Sequence, residues 1–289
     1  PIMDVSGAVL GTFALYYHEP RKPVDAELEL IKSSANIAAL AINKHNAQDK
    51  LKNYAAELER SNRELSDFAY IASHDLQEPL RKISIFSDRL LVTDNSFNET
   101  QKSYLGRMGK AANRMQTLIE DLLELSQVTT KGEPFEKVDL GKIALEVIED
   151  LDAKLQTTQG KVTLGKLPRI EADPFQMRQL LQNLIENALK YHKVDTPPQV
   201  LLDSSFTIKT GWTINVKDNG IGLNEKFAER IFIPLERLHG MSAYEGTGIG
   251  LAICKKIISR HGGSIFVKSQ EGQGSTFTFT LPEIQSPVH

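Results

Sequence analysis

Residues 246–263 read GTGIGLAICKKIISRHGG, and this stretch decides the fold of the C-terminal half of the chain. Three alternating glycines precede an amphipathic run, and two further glycines end it. A glycine-rich turn at a helix N-terminus exposes backbone N–H groups to phosphate, and the helix dipole favours the negative charge. No Gly-Lys-Ser/Thr follows, so the turn is not a P-loop, and it lacks the strand and ribose-binding acid of a dinucleotide fingerprint. It therefore predicts a phosphate-binding turn of another kind.

A polar stripe is expected on the helix that comes before this turn in the sequence. Asp173 and Pro174 are typical of a helix start, with the acid at the cap and proline at the first helical position. Asn183, Asn187 and Lys190 then follow at i, i+4 and i+7, on one face. An amide oxygen can ligate Mg²⁺ beside phosphate oxygens and waters, and a lysine ammonium binds phosphate as a point charge. A solvated helix face shows the same pattern, so the stripe alone does not decide between them.

Two further glycine turns border predicted strands. The segment DNGIG at 218–222 follows an alternating strand at 212–217, and the segment GQGSTF at 272–277 leads into a second one. A carboxylate such as Asp218 can accept a hydrogen bond from an exocyclic amine, and glycines let the backbone approach a flat ring. Many strand-ending turns share this composition, so each segment is weak by itself.

The composition is that of an ordinary globular chain. Its 289 residues allow two or three domains, and the formal charge of -3 gives no basic field for nucleic acid. The single cysteine, Cys254, excludes an internal disulfide and fits a reducing compartment, so we expect a cytoplasmic protein. No run of about 18 or more apolar residues occurs, so we expect no membrane segment. Because residue 1 is proline, we expect a fragment of a longer protein.

Two amphipathic segments predict a helical hairpin. No proline occurs between residues 26 and 73, and from residue 51 the apolar positions step by three and four, as in a coiled coil. The same steps recur after a polar connection at 94–100. Such a hairpin pairs with a second copy into a four-helix bundle, so we expect a homodimer. The seam positions are Leu51, Tyr54, Leu58, Ser61, Leu65, Phe68 and Ala72, then Tyr104, Met108, Ala111, Met115, Leu118, Leu122 and Leu125.

The N-terminal segment predicts the end of another domain. Residues 7–17, GAVLGTFALYY, are rich in strand-forming residues and stop at a turn signal. So short a strand region cannot bury a core alone. This run and the helical stretch after it resemble the last strand and last helix of a GAF sensor domain. An unrelated β-hairpin joined to a helix is the alternative.

The first hairpin helix contains SHDLQEPLR at 73–81. His74 falls two positions beyond the seam residue Ala72, so we expect it to project outward. A neutral imidazole nitrogen is a good nucleophile toward phosphorus, and the adjacent Asp75 can orient the ring. Pro79 is expected to bend the helix nearby. Taken alone, a histidine on a helix is more often an ordinary polar surface residue.

Together these elements resemble a sensor histidine kinase with a Bergerat-fold ATPase domain. The segments NLIENALKYHK, DNGIGL, IFIPLERLHG, GTGIGLAICKKI and GQGSTFTF are similar to the N, G1, F, G2 and G3 boxes of that family, and HDLQEPLR is similar to its H box. The implied fold is multidomain α and α+β, a helical-hairpin dimerisation domain plus an α/β-sandwich ATP-binding domain. The implied boundaries are 1–25 for a GAF-like remnant, 26–66 for a signalling helix, 67–130 for the phosphoacceptor domain and 135–285 for the ATP-binding domain.

The resemblance also implies residue roles. Asn187 would hold Mg²⁺, Asn183 and Lys190 would meet the phosphates of ATP, Tyr191 would flank the nucleotide, and Asp218 would read the adenine amine. Residues 234–244 would form a mobile lid. The full implied set of ATP-binding residues is Asn183, Asn187, Lys190, Tyr191, Asp218, Gly220, Gly222, Arg237, Gly246, Thr247, Gly248, Gly250, Leu251 and Thr276.

The resemblance further implies that ATP phosphorylates His74, with Asp75 beside it, and that the phosphoryl group passes to an aspartate of a response regulator receiver domain. Among the other histidines, His192 and His239 would lie near the nucleotide. The rest, His18, His45, His261 and His289, are expected at the surface.

Three positions depart from the family pattern. Met241 stands where relatives usually carry a basic lid residue, Leu235 replaces a phenylalanine of the F box, and Glu78 argues against phosphatase activity. Met241 keeps open a nucleotide-binding, degenerate kinase that acts as a dimeric adaptor. A chaperone or DNA-repair ATPase of the same fold is a further alternative, but it would place a glutamate base on the asparagine helix and lack the hairpin.

Overall fold

The computed structural model of the chain describes residues 1–4, 6–14, 16–93, 97–130, 132–208, 211–236 and 246–282. Within helices, the side chains at 59, 62–72, 74, 92, 93 and 130 lie outside this description. The chain divides into two units, Pro1–Leu65 and Ser66–His289. In the part of the chain that is described, no helix is both long enough and apolar enough to cross a bilayer.

The first unit contains a short strand pair and the start of a long helix. Strand β1 (Ile2–Met3) pairs antiparallel with β2 (Val9–Gly11), and helix α1 (Asp25–Thr93) follows. Among the described residues of the strand predicted at 7–17, Val9–Gly11 form a strand. Its resemblance to a GAF domain stays a prediction.

Helix α1 leaves its predicted coiled-coil seam uncovered in the single chain. Leu51, Tyr54 and Leu58 are 70%, 69% and 72% exposed. Large apolar side chains at this spacing are covered when a second helix packs against them, and the coiled coil itself stays a prediction. Although Pro79 lacks a backbone N–H, the helix continues beyond it to Thr93.

Helix α2 (Glu99–Thr130) pairs with the second part of α1 and forms the predicted helical hairpin. The Ser84 hydroxyl donates to Asn113 Oδ1 across the hairpin at 2.7 Å, and Ala112 is buried. The hairpin also leaves apolar side chains exposed, as a dimeric bundle would require. They are Leu76, Ile83, Phe86 and Leu90 on α1, and Tyr104, Met108, Met115 and Leu122 on α2.

Residues 136–282, which we call the C-terminal domain, form the predicted α/β sandwich. Its helices are α3 (Leu140–Asp150), α4 (Asp152–Thr158), α5 (Pro174–Lys190) and α6 (Gly250–Arg260). Strand β3 (Glu136–Asp139) pairs antiparallel with β5 (Arg169–Ala172). The strands of the main sheet are β4 (Lys161–Leu164), β6 (Gln199–Thr207), β7 (Gly211–Asp218), β8 (Ile265–Gln270) and β9 (Gly274–Leu281). They lie in the order β4-β6-β7-β9-β8, in which β4 and β6 pair in parallel and the other neighbours pair antiparallel.

Two aspartates cap the N-termini of α3 and α5. The Asp139 carboxylate accepts from Gly141 N and Lys142 N at the start of α3. Asp173 accepts from Gln176 N at 3.1 Å, directly before the proline that opens α5. Such caps satisfy N–H groups that have no partner inside the helix.

The sheet is apolar on one face and polar on the other. Met177, Leu181 and Ile185 of α5 pack on the apolar face and are fully buried, together with Phe279 of β9. On the polar face, Asn215 Nδ2 donates to Asp203 Oδ1 at 2.7 Å, and the Thr278 hydroxyl donates to Asn215 Oδ1 at 2.9 Å. The alternation of side chains along each strand produces this division.

His261 is buried, which corrects the expectation that it lies at the surface. It is 1% exposed, and its ring stacks on Phe135 with 4.5 Å between ring centroids. Nδ1 donates to the Ile257 carbonyl at 2.8 Å, and Nε2 accepts from the Asp173 N–H at 3.1 Å, so the ring is held neutral. Burial accordingly lowers the pKa of His261. Its burial depends on Phe135, which a local pattern around residue 261 does not reveal.

The lowered pKa of His261 predicts a loss of stability in acid. The unfolded chain takes up a proton at about pH 6.5, whereas the folded chain takes it up only at lower pH. The free energy of unfolding should therefore decrease as the pH falls below that value, by at most about 1.4 kcal/mol per pH unit for this one proton. Urea unfolding at pH 7.5 and 5.5, followed by fluorescence of the single tryptophan, Trp212, measures this loss. His261→Gln should show a smaller acid-induced loss, and an equal loss in both proteins would contradict the assignment.

Candidate functional site

A cavity of about 1210 Å³ brings most of the predicted site residues together. Its walls come from α4, α5, the end of β7, the turn before α6, the start of β9 and one side of α2. The predicted residues that line it are Asn183, Asn187, Lys190, Tyr191, Asp218, Gly222, Gly246, Thr247, Gly248, Gly250 and Leu251.

The stripe on α5 faces the start of α6. A Cβ added at Gly250 would lie 3.2 Å from Asn183 Oδ1, and one added at Gly246 would lie 2.6 Å from Lys190 Nζ. Lys190 Nζ also lies 4.5 Å from the ring centroid of Tyr191. The Asn183 amide and the Lys190 ammonium are therefore next to the glycine turn that the sequence predicts to bind phosphate, rather than on a free helix surface, and Asn187 lines the same cavity.

Asp218 ends β7 with its carboxylate in the cavity wall. It is 8% exposed, and Oδ1 accepts from Gly220 N at 2.8 Å and from Ser275 N at 3.1 Å. Oδ2 accepts no hydrogen bond from the described residues. Burial raises the pKa of Asp218, and the two N–H bonds oppose that rise. A ligand that donates an N–H to Oδ2 would complete the hydrogen bonding of this carboxylate.

The turn after Asp218 requires glycine. Gly222 has φ +64°, and a Cβ at this position would overlap the carbonyl oxygen of Gln270. Ile221 N donates to the Tyr191 carbonyl at 2.9 Å, and Gly272 N donates to the Ile221 carbonyl at 2.7 Å. These bonds join the turn to the end of α5 on one side and to the β8–β9 turn on the other, which fixes the position of Asp218.

One wall of the cavity comes from α2, a helix that the sequence did not predict to line the site. The Thr247 hydroxyl, in the turn before α6, donates to the Asp121 carboxylate on α2. Burial raises the pKa of Asp121. No local signal could have predicted this wall, because the pattern of α2 revealed only its apolar seam. The α2 residues in the wall are Lys110, Asn113, Arg114, Thr117 and Asp121.

Some predicted site residues are not part of this cavity. Thr276 lies on the polar face of the sheet, beside Lys217 and Lys268, because β9 sends alternate side chains to opposite faces. Its neighbours Ser275 and Phe277 line the cavity instead. Gly220 contributes its N–H to Asp218 without being a lining residue.

Other predicted site residues lie outside the part of the chain that the structure describes. Arg237, His239 and Met241 lie outside the described residues, with most of the predicted lid. His74 lies within α1, but its side chain is outside the description, while the neighbouring Asp75 is exposed. The predicted roles of these residues therefore remain predictions. His192 does line the cavity.

Comparisons with known proteins agree with this arrangement. The family described as His Kinase A (phospho-acceptor) domain matches residues 64–131, and the family described as histidine kinase-, DNA gyrase B-, and HSP90-like ATPase matches residues 172–285. The chain therefore contains a His Kinase A (phospho-acceptor) domain and a domain of the histidine kinase-, DNA gyrase B-, and HSP90-like ATPase family, and the second match covers most of the C-terminal domain.

Similar proteins include a phytochrome and two kinases. Cyanobacterial phytochrome A of Nostoc sp. is 38% identical over 260 residues, which cover 90% of this chain and 33% of that protein. The adaptive-response sensory kinase SasA of Synechococcus elongatus is 30% identical over 256 residues, which cover 84% of this chain and 65% of that protein. The crystal structure of histidine kinase ThkA in complex with the response regulator protein TrrA matches with a TM-score of 0.53 at 25% identity, covering 80% of this chain and 66% of that chain. The chain spans about a third of the length of the phytochrome.

Alanine substitutions at two glycines with positive φ should separate backbone strain from steric overlap. Gly272 has φ +77° and open space around its Cα, so Gly272→Ala should cost only the left-handed backbone penalty, roughly 1–2 kcal/mol. Gly222→Ala adds overlap with a backbone carbonyl and should lower the free energy of unfolding by more than that. Urea unfolding followed by Trp212 fluorescence measures both losses. Equal losses would show that Gly222 is not packed as described.

Proposed function

We propose that this chain is the kinase part of a two-component sensor, in which ATP phosphorylates His74 and the phosphoryl group then passes to an aspartate of a response regulator. The observation that carries the proposal is the cavity itself, which joins the α5 stripe, Asp218 and the glycine turn before α6. The compact unit Ser66–His289 that contains this cavity also contains His74.

The cavity offers groups suited to each part of ATP. The Oδ2 oxygen of Asp218 accepts the exocyclic amine of adenine, and Tyr191 flanks the base. Lys190 and Asn183, which lie against the glycine turn, contact the phosphates. Arg237 of the lid adds a further positive charge. We assign the triphosphate to the α6 end of the cavity because the N–H groups and the ammonium converge there.

The same residues fit a magnesium ion. Asn187 lines the cavity, and its neutral amide oxygen, together with phosphate oxygens and waters, suits the octahedral oxygen coordination that Mg²⁺ prefers. When bound, the ion would neutralise charge on the phosphates. We assign its protein ligand to Asn187.

His74 supplies the nucleophile for the transfer. A neutral ring nitrogen forms a bond to the γ-phosphorus while the bond between that phosphorus and the bridging oxygen breaks, which releases ADP. Asp75 accepts a hydrogen bond from the other ring nitrogen and orients the ring. Phosphoryl transfer needs positioning and charge neutralisation more than covalent machinery, so the adenine and phosphate contacts contribute mainly by placing the γ-phosphate.

We further propose that the kinase acts as a homodimer in the cytoplasm. The exposed apolar side chains of the hairpin support dimerisation through a four-helix bundle. The ThkA structure, a histidine kinase in complex with a response regulator protein, supports a receiver domain as the partner. We keep the boundaries given above, with residues 1–25 as the end of a GAF-like domain and 26–66 as a signalling helix. We propose no role in binding nucleic acid.

His74 should carry the label after incubation with labelled ATP and Mg²⁺. The product should be labile in acid and stable in base, and His74→Ala should abolish it. His45→Ala is the matched control, because His45 is an exposed histidine of the same helix, and it should label normally. Label that survives His74→Ala would contradict the acceptor assignment. No label on the unmodified chain would favour the dimeric adaptor.

Asp218→Asn should weaken ATP binding without unfolding the protein. The amide cannot offer a second acceptor oxygen to the adenine amine, and a lost hydrogen bond to a charged group corresponds to roughly ten- to a hundredfold in the dissociation constant. Because burial raises the pKa of Asp218, removing the charge should leave the free energy of unfolding unchanged or higher. Titration with ATP and urea unfolding measure the two quantities.

The control for this substitution is Asp203→Asn, on the polar face of the same sheet. The amide oxygen introduced at this position would still accept from Asn215, and the position lies away from the cavity. ATP binding should be unchanged. Equal affinity in the Asp218→Asn protein and the unmodified chain would contradict the adenine assignment.

A further inference from the structure

We propose that Asp173, Gln176 and Arg260 are positioning residues that hold the C-terminal domain in a fixed orientation at the end of α2. They contact the backbone of α2 at Val128 and the backbone of the following linker at Glu133. We define the linker as residues 131–135, between α2 and β3. We call these three residues the linker clamp. Their role in the transfer rests on the proposed phosphorylation of His74, whereas their role in orientation does not.

Gln176 connects the clamp to the last turns of α2. Its Nε2 donates to the Val128 carbonyl at 2.7 Å, and its Oε1 accepts from the Arg260 guanidinium at 2.8 Å. Gln176 and Val128 are each 4% exposed, so water does not compete for this bond. Since both ends of the amide are used, the side chain has one favourable orientation, and α2 is tied to the start of α5.

Arg260 connects the clamp to the linker itself. Nη1 donates to the Asp173 carboxylate at 2.9 Å, and Nη2 donates to the Glu133 carbonyl at 2.8 Å. The guanidinium carbon also lies 4.8 Å from the ring centroid of Phe135. A side chain at Gly132 would overlap the guanidinium, so the linker passes directly against it.

Asp173 completes the clamp from the start of α5. Oδ2 accepts from Glu133 N at 2.7 Å and from Arg260, while Oδ1 caps the helix through Gln176 N. Oδ1 therefore stabilises the start of α5 within the domain, and Oδ2 attaches the domain to the linker. The carboxylate is 1% exposed and is paired with a largely buried arginine, so solvent screens the pair little.

The position of these contacts indicates that they orient the C-terminal domain relative to α2 as well as stabilising the fold locally. Val128 lies before the linker and Glu133 lies within it, so the clamp holds the chain on both sides of the α2 end. Rotation of the C-terminal domain about this junction would strain the bond to Val128 in α2 and the two bonds to Glu133 in the linker. Phosphoryl transfer between groups on two domains requires a narrow range of approach, and small misplacements cost rate rather than affinity.

Arg178 offers a matched control within the same domain. It pairs with Glu146 and Asp150 on α3 and has 34% of its side chain exposed. Its substitution also removes one arginine and its ion pairs, but these pairs join α5 to α3 and do not involve the linker. An effect of Arg260→Gln that Arg178→Gln does not share therefore belongs to the linker contacts.

The experiment compares Arg260→Gln and Arg178→Gln in the full chain. Spin labels at Arg107→Cys on α2 and Lys161→Cys on β4, both exposed positions, report the distance between the two elements. Doubly labelled chains are mixed with excess unlabelled chain, so that distances within one chain dominate. The native Cys254 is fully buried, and burial raises its pKa, which keeps it unreactive toward the label. ATP affinity and the rate of His74 phosphorylation at saturating ATP are measured on the same proteins.

Arg260→Gln should broaden the distance distribution and slow phosphorylation by roughly ten- to a hundredfold, with ATP affinity unchanged. Arg178→Gln should leave the distance distribution and the rate unchanged. An unaltered distribution in Arg260→Gln, or equal broadening in both variants, would overturn the proposal. If the unmodified chain shows no phosphorylation of His74, the proposed function fails, while the distance measurement still decides whether the clamp orients the domain.

Gln176→Met serves as the second variant if Arg260→Gln fails to fold. It removes the bond to Val128 while retaining the Asp173 cap and the contacts of Arg260 with Asp173 and Glu133. It should broaden the distances to a smaller extent and again leave ATP affinity unchanged. A distribution identical to that of the unmodified chain would overturn the role of Gln176.

Discussion

The two faces of α5 connect the core of the C-terminal domain to its cavity. One face carries aliphatic side chains that are fully buried against the sheet, each of which stabilises the fold by about 1.5–3 kcal/mol. The other face carries Asn183, Asn187 and Lys190, which need polar partners. Because one rigid helix carries both sets, the packing of the core decides where the polar stripe lies. The end of β7 and the turn before α6 meet the stripe at that place, and the cavity follows from the same packing.

Much of this arrangement could be predicted from local pattern. The cap at Asp173, the face shared by the α5 stripe and the alternation of β7 are all encoded within a few neighbouring residues. The predictions that were wrong or missing concern residues whose placement depends on contacts distant in sequence or on strand register. Thr276 belongs to the expected segment, but the register of β9 turns it to the other face of the sheet. His261 is buried by Phe135, far earlier in the chain, and the α2 wall exists only once two domains pack together.

The interactions between α2 and the C-terminal domain beside the cavity differ from those at the linker. Next to the cavity the contact is polar: Lys256 Nζ donates to the Leu125 carbonyl at 2.8 Å, and burial raises the pKa of both Asp121 and Glu124. At the linker, by contrast, backbone carbonyls and a buried ion pair hold the chain. The contact thus rests on side-chain hydrogen bonds beside the cavity and on backbone hydrogen bonds and an ion pair at the linker.

The close approach of Arg260 to Gly132 has a consequence for engineering chimeric sensors. A fusion joint placed within residues 129–135 could replace the glycine against which the Arg260 guanidinium packs and would shift the Glu133 carbonyl that the guanidinium contacts. The insertion of one residue into the last turn of α2 would carry the following domain to a different side of the helix, since each residue turns an α-helix by about a quarter of a turn. A joint upstream of Ser66, at the boundary between the two units, leaves every one of these contacts within a single parental sequence.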